Sequence, residues 1–263
     1  MTPIDTKYFR DYREKLGFTN QNEVKVFFGA KDIISRIDYE YIGSLNLRLA
    51  EIIQKIHALV AESVRVDDIR SFCDKNIQSV FEKLRENDII SRLNNQGRRP
   101  EEVYFSWMRG FVVSSYFLRA IGQIFGVDKG NISFIGDDDF AHVELFKRTP
   151  KADLQVQLLS GEKVRIEIQS GFQGINDIKQ HKVLEARKIK QENGISSLVI
   201  HFDIFNGQVA FIHTDTIEDE SVNWITRVNL DEGLVWNIDQ NFFFWTLGDT
   251  PASYREIMEN YCT

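Results

Sequence analysis

Apolar residues recur at three- and four-residue spacing through the first third of the chain. Leu45, Leu49, Ile52, Ile53, Ile56, Leu59 and Val60 make one face of an amphipathic helix, and Ile69, Phe72, Ile77, Val80, Phe81 and Leu84 make a second. Gly17 and Gly29 stand where earlier helices would stop. The polar run Asn94-Asn95-Gln96-Gly97-Arg98-Arg99 reads as a turn, and Pro100-Glu101-Glu102 opens another helix: proline suits the first helical turn, and acids there complement the dipole. That helix carries Val103, Trp107, Met108, Phe111, Val112, Phe117, Leu118, Ile121 and Phe125, with Gly126 and Gly130 ending it. It is apolar nearly all round, so it is expected to be buried against a sheet.

The period then changes from 3.6 to 2. Residues 131–135 form a short strand candidate, followed by the acidic turn Gly136-Asp137-Asp138-Asp139 and a further candidate at 142–148. Residues 152–159 and 163–170 predict a hairpin about Ser160-Gly161-Glu162. A helix over 176–191 is expected next, capped by Asn176 and stopped by Asn193-Gly194. Strands at 197–205 and 208–213 flank Asn206-Gly207, a strong hairpin signal. From Asp215 onward the acidic, aromatic stretch yields no assignment. The pattern predicts an α/β (α+β) fold: a helical subdomain over 1–97, then a core over 98–263 with a mixed sheet flanked by helices. The two parts are expected to form one compact unit.

Composition narrows the picture. The 43% apolar and 27% charged content is that of an ordinary globular protein. A net charge of −7 argues against a chain that coats nucleic acid non-specifically, yet leaves room for one local basic cleft. Cys73 and Cys262 match no zinc spacing and no disulfide framework, so reduced thiols are expected. The N-terminus is polar, and no apolar run approaches a membrane span, so a cytoplasmic protein is expected. The five histidines show no zinc spacing, and His201, inside an apolar strand, reads as a hydrogen-bonded core residue. Asp137-Asp138-Asp139 lacks the alternating ligands of a calcium loop.

The chemistry lies in the hairpin at 152–170. Ala152, Leu154, Val156 and Leu158 alternate with Asp153, Gln155 and Gln157; Val164, Ile166 and Ile168 alternate with Arg165, Glu167 and Gln169. Side chains two apart on a strand share a face. Asp153 is therefore expected to face Glu167 and Gln169 across neighbouring strands. Two such carboxylates repel unless a cation lies between them, and oxygen donors of this kind suit Mg²⁺.

Asp153, thirteen intervening residues and then Glu167-Ile168-Gln169 resemble the catalytic hairpin of the PD-(D/E)XK nucleases, the fold of many type II restriction endonucleases. The helices before and after the hairpin match that family's core order over residues 101–213. Two positions depart from the pattern. Ala152 precedes Asp153 where the family has proline, and Gln169 stands at the lysine position. The resemblance implies Mg²⁺-dependent hydrolysis of double-stranded DNA, with Asp153, Glu167 and Gln169 catalytic and Asp153 and Glu167 holding the metal. A palindromic site would call for a homodimer.

Glutamine carries no charge, and Lys182 on the following helix is a candidate to replace it. Ser170-Gly171-Phe172-Gln173-Gly174 is a polar loop entering a helix, and Lys179, His181, Lys182, Arg187, Lys188 and Lys190 outnumber Asp177 and Glu185. That excess is the expected DNA-holding patch, with Gln173, Lys179 and Lys182 as contacts and Arg98 and Arg99 as further ones. Glu101 or Glu102 could add a carboxylate. A structure-specific or repair nuclease, and a DNA-binding module without catalysis, are the alternative readings.

Overall fold

The computed structural model describes residues 5–30, 32–34, 36–93, 98–135, 153–226 and 233–261. The acidic turn at 137–139, the strand candidate at 142–148 and most of the turn at 94–99 lie outside them. Three helices open the chain: α1 (Thr6–Leu16), α2 (Gln21–Gly29) and α3 (Tyr39–Leu59). Each has an acid or amide at its N-cap, Asp5, Asn20 and Asp38, accepting from backbone N–H groups that the helix leaves unpaired. α3 buries Ile42, Asn46, Leu49, Ile53 and Ile56; of the face the sequence predicts, Leu49, Ile53 and Ile56 are buried, Leu45 and Ile52 are half-buried, and Leu59 in the last turn is 78% exposed.

The next apolar face is built in an unexpected way. α4 (Ile69–Cys73) and α5 (Ser79–Glu86) are joined without a break by a π-turn over Asp74–Gln78, in which the Ser79 N–H donates to the Asp74 carbonyl. The five-residue step from Phe72 to Ile77 is too long for an α-helical face, and the wider turn absorbs it. Ile77, Val80, Phe81 and Leu84 are then all buried.

The long apolar helix predicted from Pro100 is two helices, α6 (Pro100–Tyr116) and α7 (Leu118–Phe125), which meet at Phe117. Phe117 is fully buried and stacks on Phe202 of the sheet at 4.1 Å between ring centroids. The break falls on a residue whose ring anchors the helices in the core.

The sheet strands are β1 (Ile132–Phe134), β2 (Leu154–Gln157), β3 (Lys163–Gly171), β4 (Asp177–Lys179), β5 (Ser196–Asp203), β6 (Gln208–His213), β7 (Ile225–Thr226), β8 (Leu234–Asn237) and β9 (Phe243–Thr246). Six of them form one mixed sheet in the order β1-β2-β3-β5-β6-β9, and β4-β8-β7 form a small second sheet. Among the described residues, only β3 and β5 run parallel in the large sheet. The chain crosses between them through β4 and α8 (Gln180–Asn193), as a parallel pair requires. The β2–β3 hairpin turns where the sequence predicts, with Gly161 at φ +88°, a conformation L side chains disfavour.

Alternation assigns the two sheet faces. Leu154, Val156, Val164, Ile166, Leu198, Ile200 and Phe202 face the core shared with α3 to α7. Val199, Ala210 and Ile212 face the other way, against Ile178, Val183 and Trp236 from β4, α8 and β8. The molecule is thus a mixed α/β fold, and among the described residues no helix is long and apolar enough to cross a membrane. A final helix, α9 (Tyr254–Tyr261), buries Ile257 in the larger core.

Candidate active site

The polar side of β3 points away from the larger core, toward α8. Ile166 is fully buried and Val164 nearly so, while Arg165, Glu167 and Gln169 between and beyond them are partly exposed. β2 pairs antiparallel with β3, Leu154 opposite Ile166. One further step of that register sets Asp153 opposite Glu167, as the alternation predicts. Asp153 Oδ2 accepts from the backbone N–H of Ile168 at 2.7 Å, which fixes its carboxylate beside the second strand.

A cation meets Glu167 of this pair. Lys182 Nζ lies 3.0 Å from Glu167 Oε1 and 3.1 Å from Oε2, with both side chains about one-fifth exposed. The helix start explains the placement. Residues 177–179 are extended as β4, so α8 begins at Gln180 and not at Asn176 as the sequence suggested. The helix seats itself with Val183 and Ala186, which are buried, while Leu184 is 48% exposed. Ile178 is buried as well, but from β4. With Val183 against the sheet, its neighbour Lys182 reaches Glu167. Arg165, Glu167, Lys182, Glu185, Ser197 and Thr214 line a narrow cleft between the sheet and α8.

Asn176 works at long range instead of capping the helix. Its Oδ1 lies 2.7 Å from His201 Nε2, and its Nδ2 donates to Asp203 Oδ2 at 3.2 Å. Asp203, fully buried, also accepts from the Asn206 backbone N–H, from Asn206 Nδ2 at 2.7 Å and from Gln208 Nε2 at 3.2 Å. Burial pushes the Asp203 carboxyl up, but the Asn206, Gln208 and Asn176 donors outweigh it and hold the group below its ordinary range. His201 is 3% exposed, and burial depresses its pKa to about 4, so the ring is neutral near pH 7. The network assigns its proton to Nε2, because Asn176 Oδ1 can only accept. His201 is thus the hydrogen-bonded core residue its strand context predicts. It sits opposite Gln169 in the β3–β5 register.

This cluster lies where β3 and β5 end. Gly171 closes β3, and a Cβ there would stand 3.1 Å from the Ile175 carbonyl, so glycine lets the chain fold back at that point. Sequence reading missed the cluster. Its one local signal is Asp203 at the first position of the turn through Asn206-Gly207, a place where aspartate bonds the backbone ahead of it.

The other predicted contacts separate. Gln173 is exposed beyond β3, and Lys179 is half-buried at the end of β4. Arg98 is exposed, whereas Arg99 donates to Glu101 Oε1 at 3.0 Å. Glu101 is 1% exposed and also accepts from the Asp38 backbone N–H at 2.9 Å, which ties α6 to the start of α3. Glu101 is therefore held in a structural junction, and Glu102 is exposed. The basic patch of α8 also divides. Arg187 donates to the Ile217 carbonyl and pairs with Asp219, and Lys190 donates to Ser196 Oγ at 2.8 Å. Lys188 stays at the surface, 3.8 Å from Glu192. Of the six basic residues, two serve packing between α8 and the neighbouring segments.

Among the described residues, no three of His, Cys, Asp and Glu come together as a metal cage. Asp153 and Glu167 are two, on neighbouring strands, and the cation Lys182 already rests against one of them. A pair of hard carboxylate donors at a solvent-reachable face fits Mg²⁺, which commonly takes one or two carboxylates and completes its shell with water and phosphate. No known protein family, curated protein or solved structure matches the chain.

Proposed function

We propose that the chain is a Mg²⁺-dependent endonuclease of the PD-(D/E)XK kind, cutting double-stranded DNA at a short specific sequence as type II restriction enzymes do. The observation that carries this reading is the contact of Lys182 with Glu167, with Asp153 opposite Glu167 in the strand register. Two carboxylates lie on adjacent hairpin strands, and the positive charge that Gln169 lacks arrives from the crossover helix. The order of elements supports it as well: helix, three antiparallel strands, helix and a parallel strand.

Asp153 and Glu167 would hold the metal. When bound, Mg²⁺ lowers the pKa of a coordinated water and offsets charge on the phosphoryl oxygens. Lys182 carries three N–H donors, more than Glu167 alone requires, and a phosphate oxygen is the acceptor that suits the remainder. Gln169, two residues along the same face, orients water or phosphate through its amide. Asp153 is held by the Ile168 N–H and so keeps its place without the cation.

Digestion of a sequenced plasmid with Mg²⁺ and with EDTA tests the reading. Discrete fragments should form only with Mg²⁺, and Asp153→Ala and Glu167→Ala should each abolish them. Cleavage confined to branched or damaged DNA would replace the restriction reading by a repair nuclease. DNA binding without cleavage in any divalent metal would leave a non-catalytic module.

A further inference from the structure

A series of hydrogen bonds, each fixing the direction of the next, runs from Asp203 toward the working face of β3. Asp203 is ionised near pH 7, because its donors hold it below the ordinary range, and an ionised carboxylate only accepts. Asn176 therefore turns its Nδ2 to Asp203 and its Oδ1 to His201, which puts the imidazole proton on Nε2. Nδ1 is left with a lone pair. It is buried and has no partner among the described residues, although His201 is 3% exposed and packed edge to face against Phe243. A buried acceptor without a donor is costly. Gln169 stands beside it. The two residues are partners in the parallel β3–β5 register, on the sheet face that carries Glu167, and neighbouring strands lie about 4.8 Å apart. Gln169 is half-buried, and among the described residues no hydrogen bond holds its amide.

We infer that Gln169 turns an amide N–H onto His201 Nδ1 and so presents its carbonyl oxygen to the face of Asp153 and Glu167, with Asn176 and His201 as the positioning residues that set this orientation. The bond completes the series: carboxylate, amide, imidazole, amide. Nδ1 gains its donor, and Gln169 loses the freedom to flip its amide, whose two ends a solvent-facing glutamine exchanges at little cost. In the nuclease reading, on which this step rests, the outward carbonyl accepts a hydrogen from water in the site, and contact with phosphate oxygens falls to Lys182. A lysine in place of Gln169 would satisfy Nδ1 equally well. It would offer the site no acceptor, because an ammonium only donates.

Nitrogen NMR of the isotope-labelled full chain tests the orientation without any cleavage. Near pH 7 the His201 ring, identified by the signals missing from His201→Gln, should show Nε2 protonated and Nδ1 unprotonated but hydrogen-bonded. Gln169→Leu removes the donor at similar size and should move Nδ1 downfield by several ppm, toward a free ring nitrogen, with the other histidines unshifted. Gln169→Lys keeps a donor and should leave Nδ1 near its wild-type position. In single-turnover cleavage, Gln169→Lys should still lose about as much rate as Gln169→Leu, roughly 5-fold, because neither offers an outward oxygen. An Nδ1 signal that ignores Gln169→Leu, or one that carries the proton in the wild type, would overturn the inference. Gln169→Lys cutting as fast as the wild type would overturn it equally. If no DNA is cut under any condition, the nuclease reading fails by itself, and the nitrogen shifts still decide how the Gln169 amide is turned.

Discussion

Two carboxylates on one face of one sheet are solved in opposite ways. Asp203 is fully buried, has no cation against it among the described residues, and is satisfied by amide and backbone donors from Asn176, Asn206 and Gln208. Glu167 is one-fifth exposed and faces the ammonium of Lys182, with Asp153 across the strand pair. Fixed dipoles hold a charge where nothing has to move, and they lock the loop after β3 to the β5–β6 turn. An ammonium on a flexible stem can yield its place to another cation. The contrast separates a carboxylate that builds the scaffold from one that is available for chemistry.

The largest expected effect breaks the scaffold side. Asp203→Ala removes the acceptor shared by Asn176, Asn206 and Gln208, which are half-buried or exposed, and should lower unfolding stability by about 2–3 kcal/mol. Glu167→Gln, in a partly exposed pair, should cost no more than about 1 kcal/mol. Urea titration of both variants checks the difference, and equal losses would erase the distinction.

Lys182→Ala tests the other side. Loss of one charged donor from a preorganised site should cut single-turnover cleavage by roughly 100- to 1000-fold. Mn²⁺ affinity should hold or rise, because Glu167 no longer faces a competing cation. A fall in metal affinity would show that Lys182 builds the site instead of acting in it.

His201 offers a sharper measure of the scaffold through pH. Its folded pKa, about 4, lies below the ordinary 6.5, so the folded state binds fewer protons between those values than the unfolded chain does. Its contribution is full above pH 6.5 and is lost as pH falls toward 4, by up to about 3 kcal/mol for a shift of that size. His57 and His213 are depressed too, chiefly by burial, and act in the same direction. His201→Gln should therefore flatten, and not abolish, the pH dependence of the urea midpoint over that window. An unchanged slope would mean the ring is protonated in the fold.

Gln169→Ala carries the smallest expected change. An uncharged hydrogen bond is worth about 1 kcal/mol, so cleavage should slow by roughly 5-fold with metal binding intact. Wild-type rates would remove Gln169 from the working face.

The hairpin was legible because two local signals agree there. Strict alternation runs through residues 153–157 and 163–169, and Gly161 occupies the turn. The start of α8 was not. Asn176 carries a sound capping signal, but its side chain is drawn to His201 and Asp203, 25 and 27 residues away. No window of sequence contains that competition. For Lys182, residue type nominated the candidate, and only the packing of Val183 against the sheet gave it a position. The strands after Asp215 are two to four residues long, too short for any period to show.

The pairing of β6 with β9 also sets an order of events during synthesis. Until residues 243–246 leave the ribosome, β6 has an open edge, with Gln208–His213 presenting unpaired backbone groups. The same late segment closes the helical side, where the Ala61 N–H donates to the Leu247 carbonyl at 2.8 Å. A nascent chain that ends before residue 243 thus holds the whole β2–β3 hairpin yet exposes a strand that invites pairing with its neighbours. Such a chain depends on speed of completion, or on a chaperone, to avoid aggregation.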